Sequence, residues 1–426
     1  MSNPWKVINI ELTKGIPDLP LMAGYGGIYT VFWWHNIPLG QQEILADQLP
    51  MSATELTNLA VQAITPTIGS HLLEQGFKAA LPVISKNPAR DRPPEFQALM
   101  ALEQPLAKLE QHFSNLNSET VSVIICTRNR PEQLERCLRS LQNLSHPPHE
   151  IIVVDNAPSS DATQQLVAKI PEVKYVLEPR PGLSVARNTG IRHSTGNIIA
   201  FTDDDTIVHP DWIARIAQSF TGDLVIAITG LILPAELENE AQLIFQKGHT
   251  GFGWGYRPTT FDTQFFEEMK PLAVPVWRIG AGANMAFRRE LFEKIGYFDE
   301  RLGAGASGCS EDSEMWYRVL AEGWFCRYEP TAVVYHYHRG DLDSLKHQMY
   351  HYMRGHIAAL FVQFERYKHW GNLRRVFIAL PIYYVKRSIV GVLTGFKGVN
   401  RTLFSEVLGC LAGVQFYLQN QSRKNH

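Results

Sequence analysis

Three adjacent carboxylates, Asp203-Asp204-Asp205, close an apolar run that begins at Ile198. Like charges this close repel one another, and burial adds to the cost, so a triplet at a strand end needs a cation beside it. Magnesium and manganese take one or two carboxylates from a protein and fill their other positions with water and substrate phosphates. Asp203 and Asp205 are therefore candidate ligands for Mg2+ or Mn2+, with a diphosphate-bearing substrate. The competing reading is a solvated acidic turn before the helix near Pro210. A second acidic group, Ser310-Glu311-Asp312-Ser313-Glu314, stands at the start of a predicted helix that runs to about Gly323. Carboxylates there suit the helix dipole, but one held in a site is also a general base that takes a proton from an attacking hydroxyl. His336, after the apolar run 332–335, reads equally as a further metal or phosphate ligand and as a polar strand end.

These residues need elements that carry them to one edge. From residue 121 short apolar runs alternate with amphipathic helices, the pattern of a mostly parallel α/β sheet. Strands are predicted over 121–126, 151–154, 173–177, 198–202 and 224–228. Helices are predicted over 132–142, with Leu134, Leu138 and Leu141 on one face, and over 210–220. Ligands of such sheets sit beyond the carboxyl ends of the strands, at a topological switch point. Polar residues follow four of the five strands: Thr127-Arg128-Asn129-Arg130, then Asp155-Asn156, then a turn and a helix with Arg187 and Asn188, then the Asp triplet. Gly280-Ala281-Gly282-Ala283-Asn284 reads either as a tight turn or as backbone approaching a ligand. The Gly303–Gly308 stretch follows no strand, so it reads as a loop beside the site and not as a dinucleotide fingerprint. His347 and His351 lack the glutamate of a zinc-protease motif.

Four regions are expected: a small α+β module over 1–90, a linking helix within 91–118, the α/β unit over 119–338, and a basic helical region over 339–426. In the first, strand-like runs at 7–12 and 28–34 precede a helix from Ser52 to Leu73, with Glu55 three residues after the cap. The chain has 40 Lys and Arg against 42 Asp and Glu, which argues against a nucleic-acid-coating protein, and no nucleic-acid partner is expected. Residues 339–426 hold 13 of those cations and only 4 of the acids, so a basic tail follows an acidic body. The five cysteines form no C-x-x-C pair, against a disulfide framework or zinc knuckle. Met1–Lys6 shows no basic-then-apolar leader, so a cytoplasmic placement is expected. Lys386 and Arg387 interrupt the apolar run 376–396, which argues against a transmembrane span. Arg375, Lys386 and Lys397 would fall near one line of a continuous helix, although Pro381 and Gly391 can break it. Contact with an anionic membrane surface and packing on the body with a solvated basic face are equal readings of this tail. The aromatic, glycine-rich stretch 251–256 suits either sugar stacking or ordinary packing.

The motifs occur in a recognisable order: Val-Ser-Val-Ile-Ile-Cys-Thr-Arg-Asn-Arg, Ile-Ile-Val-Val-Asp-Asn, Gly-Leu-Ser-Val-Ala-Arg-Asn-Thr-Gly-Ile, Phe-Thr-Asp-Asp-Asp, Gly-Ala-Asn-Met-Ala-Phe-Arg-Arg and Glu-Asp-Ser-Glu-Met. Over residues 121–338 this resembles the family 2 glycosyltransferases. The resemblance implies a GT-A fold and an inverting, nucleotide-sugar-dependent enzyme. It implies that Thr127, Asn129, Arg130 and Asp155 surround the nucleobase and ribose, with Arg187 nearby. Asp203 and Asp205 match the outer positions of the Asp-x-Asp motif, Asp205 as direct metal ligand and Asp203 toward the ribose or a metal-bound water. Asp204 and Glu311 are grouped with the donor-binding residues, and Asp312 matches the catalytic base. The partners implied are a nucleotide-sugar donor and a glycan or lipid-linked acceptor, as in polysaccharide or cell-envelope synthesis. A nucleotidyltransferase would want a glycine-rich basic loop after the first strand, which Thr127–Arg130 does not provide. A non-catalytic nucleotide-sugar-binding scaffold is the other alternative.

Overall fold

The computed structural model describes residues 3–74, 102, 105–107, 119–248 and 254–420. The linking helix expected over 95–113 lies almost wholly outside these residues. Three strands open the chain, β1 (Trp5–Glu11), β2 (Gly27–Trp34) and β3 (Ile37–Leu45), with β1 parallel and β3 antiparallel to β2. Helix α1 (Ala53–Glu74) covers one face, where Leu56, Ala60, Ile64 and Ile68 meet Ile28, Phe32 and Leu39. It begins where the Ser52/Glu55 spacing predicts: the Ser52 N–H donates to Glu55 at 2.9 Å and the Glu55 N–H to Ser52 Oγ at 3.3 Å. Strand β3 is not legible in the sequence because Pro38 and Gly40 interrupt its alternation. Gly40 has a packing reason, since a Cβ there would lie 2.8 Å from the Ala63 carbonyl oxygen of α1.

The alternate residues of β2, Tyr29, Val31 and Trp33, point the other way and join the core of the larger sheet. Trp33 stacks on His209 with centroids 5.3 Å apart, the Trp5 N–H donates to the Leu237 carbonyl at 2.7 Å, and Lys247 pairs with Glu43 at 2.9 Å.

The larger sheet comprises β4 (Val121–Thr127), β5 (Glu150–Asn156), β6 (Val173–Glu178), β7 (Ile198–Asp203), β8 (Thr206–Val208), β9 (Val225–Pro234), β10 (Thr259–Phe261), β11 (Asn284–Arg288) and β12 (Phe325–His336). Its order is β10-β12-β9-β11-β7-β4-β5-β6, with β8 on β12. The half formed by β7, β4, β5 and β6 is parallel, while β11 lies antiparallel between β7 and β9. Helices α2 (Pro131–Gln142) and α3 (Leu183–His193) flank this half, α2 burying Leu134, Leu138 and Leu141. The chain steps outward from β4 to β5 and β6, then returns to the opposite side of β4 as β7. The switch point thus lies between β4 and β7.

The C-terminal region is helical: α4 (Glu311–Ala321) ends the site segment, and α5 (Leu342–Tyr367), α6 (Leu380–Thr394) and α7 (Leu403–Asn420) follow. Gly409 and Gly413 let α7 lie directly on α5, where a Cβ would come within 2.3 Å of the Tyr350 and 2.6 Å of the Arg354 carbonyl oxygen. A π turn, Arg375–Ala379, leads into α6 ahead of Pro381, which has no N–H to give. Gly395, with φ +69°, then ends α6. Lys397 therefore lies beyond the helix, and Arg375, Lys386 and Lys397 do not share one helical line.

Candidate active site

Strands β4 and β7 pair in parallel with Cys126 opposite Asp203, so Thr127 and the Asp triplet leave the sheet side by side. Asp204 turns inward: it accepts from Thr127 Oγ1 at 2.7 Å and from Arg130 at 3.1 Å, and the same arginine reaches Asp205 at 3.4 Å. Asp203 keeps 37% of its side chain open, against 7% for Asp204 and 12% for Asp205. The register β8–β12 places His336 opposite Thr206, with its Nε2 3.3 Å from Asp205 Oδ1.

The three carboxylates are electrostatically unequal. Burial, then the charge of Asp205, pushes Asp204 up to about 6 against the pull of Arg130 and Thr127. Burial also raises Asp203, which Arg187 offsets in part. In Asp205 burial is outweighed by His336 and then Arg130, and its carboxyl is held well below the usual range. The imidazole is aimed by a relay: His338 is pushed down to about 3 by burial and by His336, and its Nε2 lies 3.0 Å from Gln246 Oε1. Neutral His338 thus donates to Gln246, leaving its Nδ1 to accept from His336 Nδ1 at 3.0 Å. The His336 Nε2 is left to face Asp205.

Arg187, buried on α3, ties the triplet to α4. Its guanidinium is ion-paired to Glu311 and lies 3.6 Å from Asp203 Oδ1. Glu311 Oε2 is buried without a hydrogen-bond partner. One residue on, Asp312 Oδ2 accepts from the Gly282 N–H at 2.8 Å, and Oδ1 from the Ser313 N–H at 2.6 Å. Burial, then Glu311, pushes Asp312 up to about 7, opposed by Arg187 and these N–H groups. Ser310, with φ +72°, makes the turn into α4 in the left-handed region that a serine seldom adopts, a strain that clusters at functional sites. The 302–308 loop packs on the start of α3: Leu183 N–H donates to the Ala304 carbonyl at 2.8 Å and Ser184 Oγ to that of Leu302 at 2.8 Å.

Thr127, Arg130, Arg187, Asp203, Asp204, Asp205, Glu311, Asp312 and His336 line one cavity of about 1510 Å³. Two predicted residues do not line it. Asn129 accepts from the Ser159 N–H at 2.8 Å, and buried Asp155 accepts from the Tyr175 hydroxyl at 3.0 Å, with burial raising its carboxyl. Residues to which the sequence assigned no place in the site also line the cavity: Cys126, Arg339, Trp277, Arg278 and Arg375. Trp277 and Arg278 stand just before the glycine stretch at 280, a proximity that was a usable signal. Arg375 is brought in only by tertiary packing.

Among the described residues no group of three or more His, Cys, Asp or Glu side chains is arranged to hold a metal by itself. The donors suit an open-sided ion instead. Asp205 Oδ1 and His336 Nε2, at 3.3 Å, compare with about 3 Å between neighbouring ligands of an octahedral ion whose bonds are about 2.1 Å. Hard oxygen donors with positions left over for phosphate oxygens and water fit Mg2+ or Mn2+.

Residues 122–296 match the family model described as Glycosyl transferase family 2. Glycosyltransferase AglE of Haloferax volcanii is 27% identical over 192 residues, 43% of this chain and 58% of that protein. The glucosyl-dolichyl phosphate glucuronosyltransferase of the same organism is 25% identical over 189 residues, 43% of this chain and 57% of that protein. The chain thus spans little more than half the length of these relatives. Among solved structures, the mannosyltransferase PcManGT from Pyrobaculum calidifontis in complex with GDP-Man and Mn2+ is 17% identical with a TM-score of 0.49, covering 74% of this chain and 94% of that one. The matched segment, which runs from β4 through the Asp triplet to β11, is thus similar to the family 2 glycosyltransferases and holds five of the six motifs in order.

Proposed function

We propose that the chain is a metal-dependent, inverting glycosyltransferase that moves a sugar from a nucleoside-diphosphate donor to a hydroxyl of a glycan or lipid-linked acceptor. The observation that carries this reading is the convergence of the Asp203–Asp205 edge and Asp312 on one cavity, linked by Arg187. Asp205, His336 and the open side of Asp203 would hold Mg2+ or Mn2+, which when bound neutralises charge on the departing diphosphate. Thr127, Asn129, Arg130, Asp155 and Asp204 form or brace the nucleotide end. Arg130 and Thr127 act by fixing Asp204, and Asn129 and Asp155 act from beneath the cavity wall. The unpartnered Glu311 Oε2 accepts from a donor hydroxyl. Asp312 takes the acceptor proton while that oxygen bonds to the anomeric carbon and the bond to the diphosphate oxygen breaks, inverting the centre. Residues 119–338 form the catalytic domain in this reading.

The reaction is proposed to run at an anionic membrane surface from the cytoplasmic side. The helical run Trp370–Thr394 spans 25 residues and contains an 18-residue stretch with a mean hydropathy of 1.6 that is only 22% buried, so by length and composition it is apolar enough to cross a membrane. Exposed Arg374 and Lys386 beside exposed Phe377, Ile382 and Ile389 suit a helix lying in the interface. The relative named for glucosyl-dolichyl phosphate acts on a lipid-linked substrate by its name, which agrees with such a location. A panel of UDP-, GDP- and dTDP-sugars with Mg2+ or Mn2+ tests the function. Release of nucleoside diphosphate from at least one sugar, abolished by chelation, is expected, and neither turnover nor binding with any of them would overturn it.

A further inference from the structure

The cavity continues past Asp312 toward the C-terminal helices, where Trp277, Arg278, His356, Arg375, Tyr383 and Tyr384 line it. Arg375 is fixed from two sides. Its guanidinium lies 3.7 Å from the Trp277 ring centroid, and its Nε donates to His356 Nε2 at 2.9 Å. Trp277 meets the edge of His356 at 4.7 Å. His356 can accept because burial, and then Arg375 itself, keep it neutral. Among the described residues the terminal nitrogens of Arg375 have no protein acceptor, and neither Arg375 nor Arg278 has a carboxylate partner. Glu406, which lines the same cavity, is already taken by Arg387 at 2.7 Å, Thr402 at 2.6 Å and Tyr384 at 3.1 Å. Burial dominates at Arg375, and with the like charge of Arg278 outweighs Tyr384 to bring it down to about 10. Arg375, partly buried with no carboxylate of its own among the described residues and with the like charge of Arg278 nearby, is costly to hold there unless an anion joins the pair. A guanidinium fork held by stacking is suited to phosphate oxygens.

What adjoins this pair defines the rest of the ligand. Ala379, Leu380 and Tyr383 continue the cavity wall, and on the same helical run Phe377, Ile378 and Ile382 are more than half exposed at 61%, 51% and 52%. The path from the arginines thus leads onto an open apolar face. We propose that Arg278 and Arg375 form an acceptor-side anion site for the phosphate or diphosphate of a lipid-linked acceptor, whose hydrocarbon chain leaves over the exposed face of 370–394. The proposal rests on the glycosyl-transfer reading and names the acceptor class for it. Bound there, the phosphate anchors the acceptor while its sugar hydroxyl extends toward Asp312.

The test uses the full chain with farnesyl diphosphate below its micelle concentration, inorganic pyrophosphate and farnesol, by titration calorimetry. Farnesyl diphosphate should bind most tightly, pyrophosphate more weakly and farnesol least. Arg375→Gln and the exposed Arg278→Glu should each weaken farnesyl diphosphate binding about tenfold or more. The Arg278 change lies on the surface and keeps the test valid should the Arg375 change impair folding. Unchanged binding in Arg278→Glu would overturn the proposal, and pyrophosphate binding as tightly as farnesyl diphosphate would reduce the site to one for a free anion and overturn it too. Nucleoside diphosphate binding with manganese, measured on the unmodified chain, separates the two readings. If it is present and farnesyl diphosphate does not bind, the acceptor site alone fails; if it is absent, the glycosyl-transfer reading beneath it fails.

Discussion

Arg187 and Glu311 form a buried ion pair that joins the helix after β6 to the helix carrying Asp312, with side chains only 3% and 6% exposed. The pair fixes the distance between the Asp203 edge and Asp312, the proposed base, which neither the sheet nor α4 could set alone. Removing one member of such a pair leaves an uncompensated buried charge, so Arg187→Ala should cost about 3–5 kcal/mol in urea unfolding. A loss below about 1 kcal/mol would mean the pair is not structural.

Gly282 offers a second probe of the same joint. A Cβ there would stand 2.5 Å from Arg187 Nη2, and moving the guanidinium aside would loosen its pairing with Glu311. Gly282→Ala should therefore destabilise by about 1–3 kcal/mol and slow transfer, because the Gly282 N–H that holds Asp312 is displaced with it. Thermal unfolding and initial rates check both, and wild-type values for each would refute the contact.

The pH dependence follows from Asp312. Burial and Glu311 push it up to about 7, and a base works only when deprotonated. Below that pH kcat/KM should fall about tenfold per unit, and above it reach a plateau. Glu311→Gln removes one of the raising influences and frees Arg187 to act in the same direction, so the limb of the residual activity should move to lower pH. A limb that stays in place, or moves upward, contradicts the assignment.

Much of this arrangement was legible in the sequence, for identifiable reasons. The strands at β4 to β7 are short apolar runs with polar ends, and those ends carry Thr127, the Asp triplet and, through α3, Arg187. The Ser310–Glu314 cluster read correctly as a helix start. What escaped is what depends on distance in space. Strand β3 hides behind Pro38 and Gly40, whose reason is the approach of α1. Asp204 faces inward to Thr127 and Arg130, a direction that spacing alone does not reveal. Arg375 looked like one of a row of surface cations, and only the fold of the tail turns it onto Trp277.

The proposed contact of the tail with a membrane is open to a direct test. Ile389 and Leu393 are 58% and 80% exposed on α6. If they enter a bilayer interface, replacing both with aspartate removes about 1.5–3 kcal/mol of burial at each site. Flotation with phosphatidylserine vesicles should then drop by about a hundredfold or more in affinity, and binding by the unmodified chain should weaken with salt. Equal flotation of variant and unmodified chain would exclude this face as the contact.

In the proposed reaction one cavity divides the labour: the Asp205 side holds the donor through a metal, and Asp312 activates the acceptor. Asp312→Asn keeps the shape and loses the base, whereas Asp205→Ala loses a metal ligand. The deciding measurement is calorimetric titration of nucleoside diphosphate with and without manganese, paired with a transfer assay on the same Asp312→Asn sample. Manganese-dependent binding close to the unmodified chain's is expected, with transfer down about a thousandfold or more. Transfer retained in Asp312→Asn, with binding intact, would contradict that division.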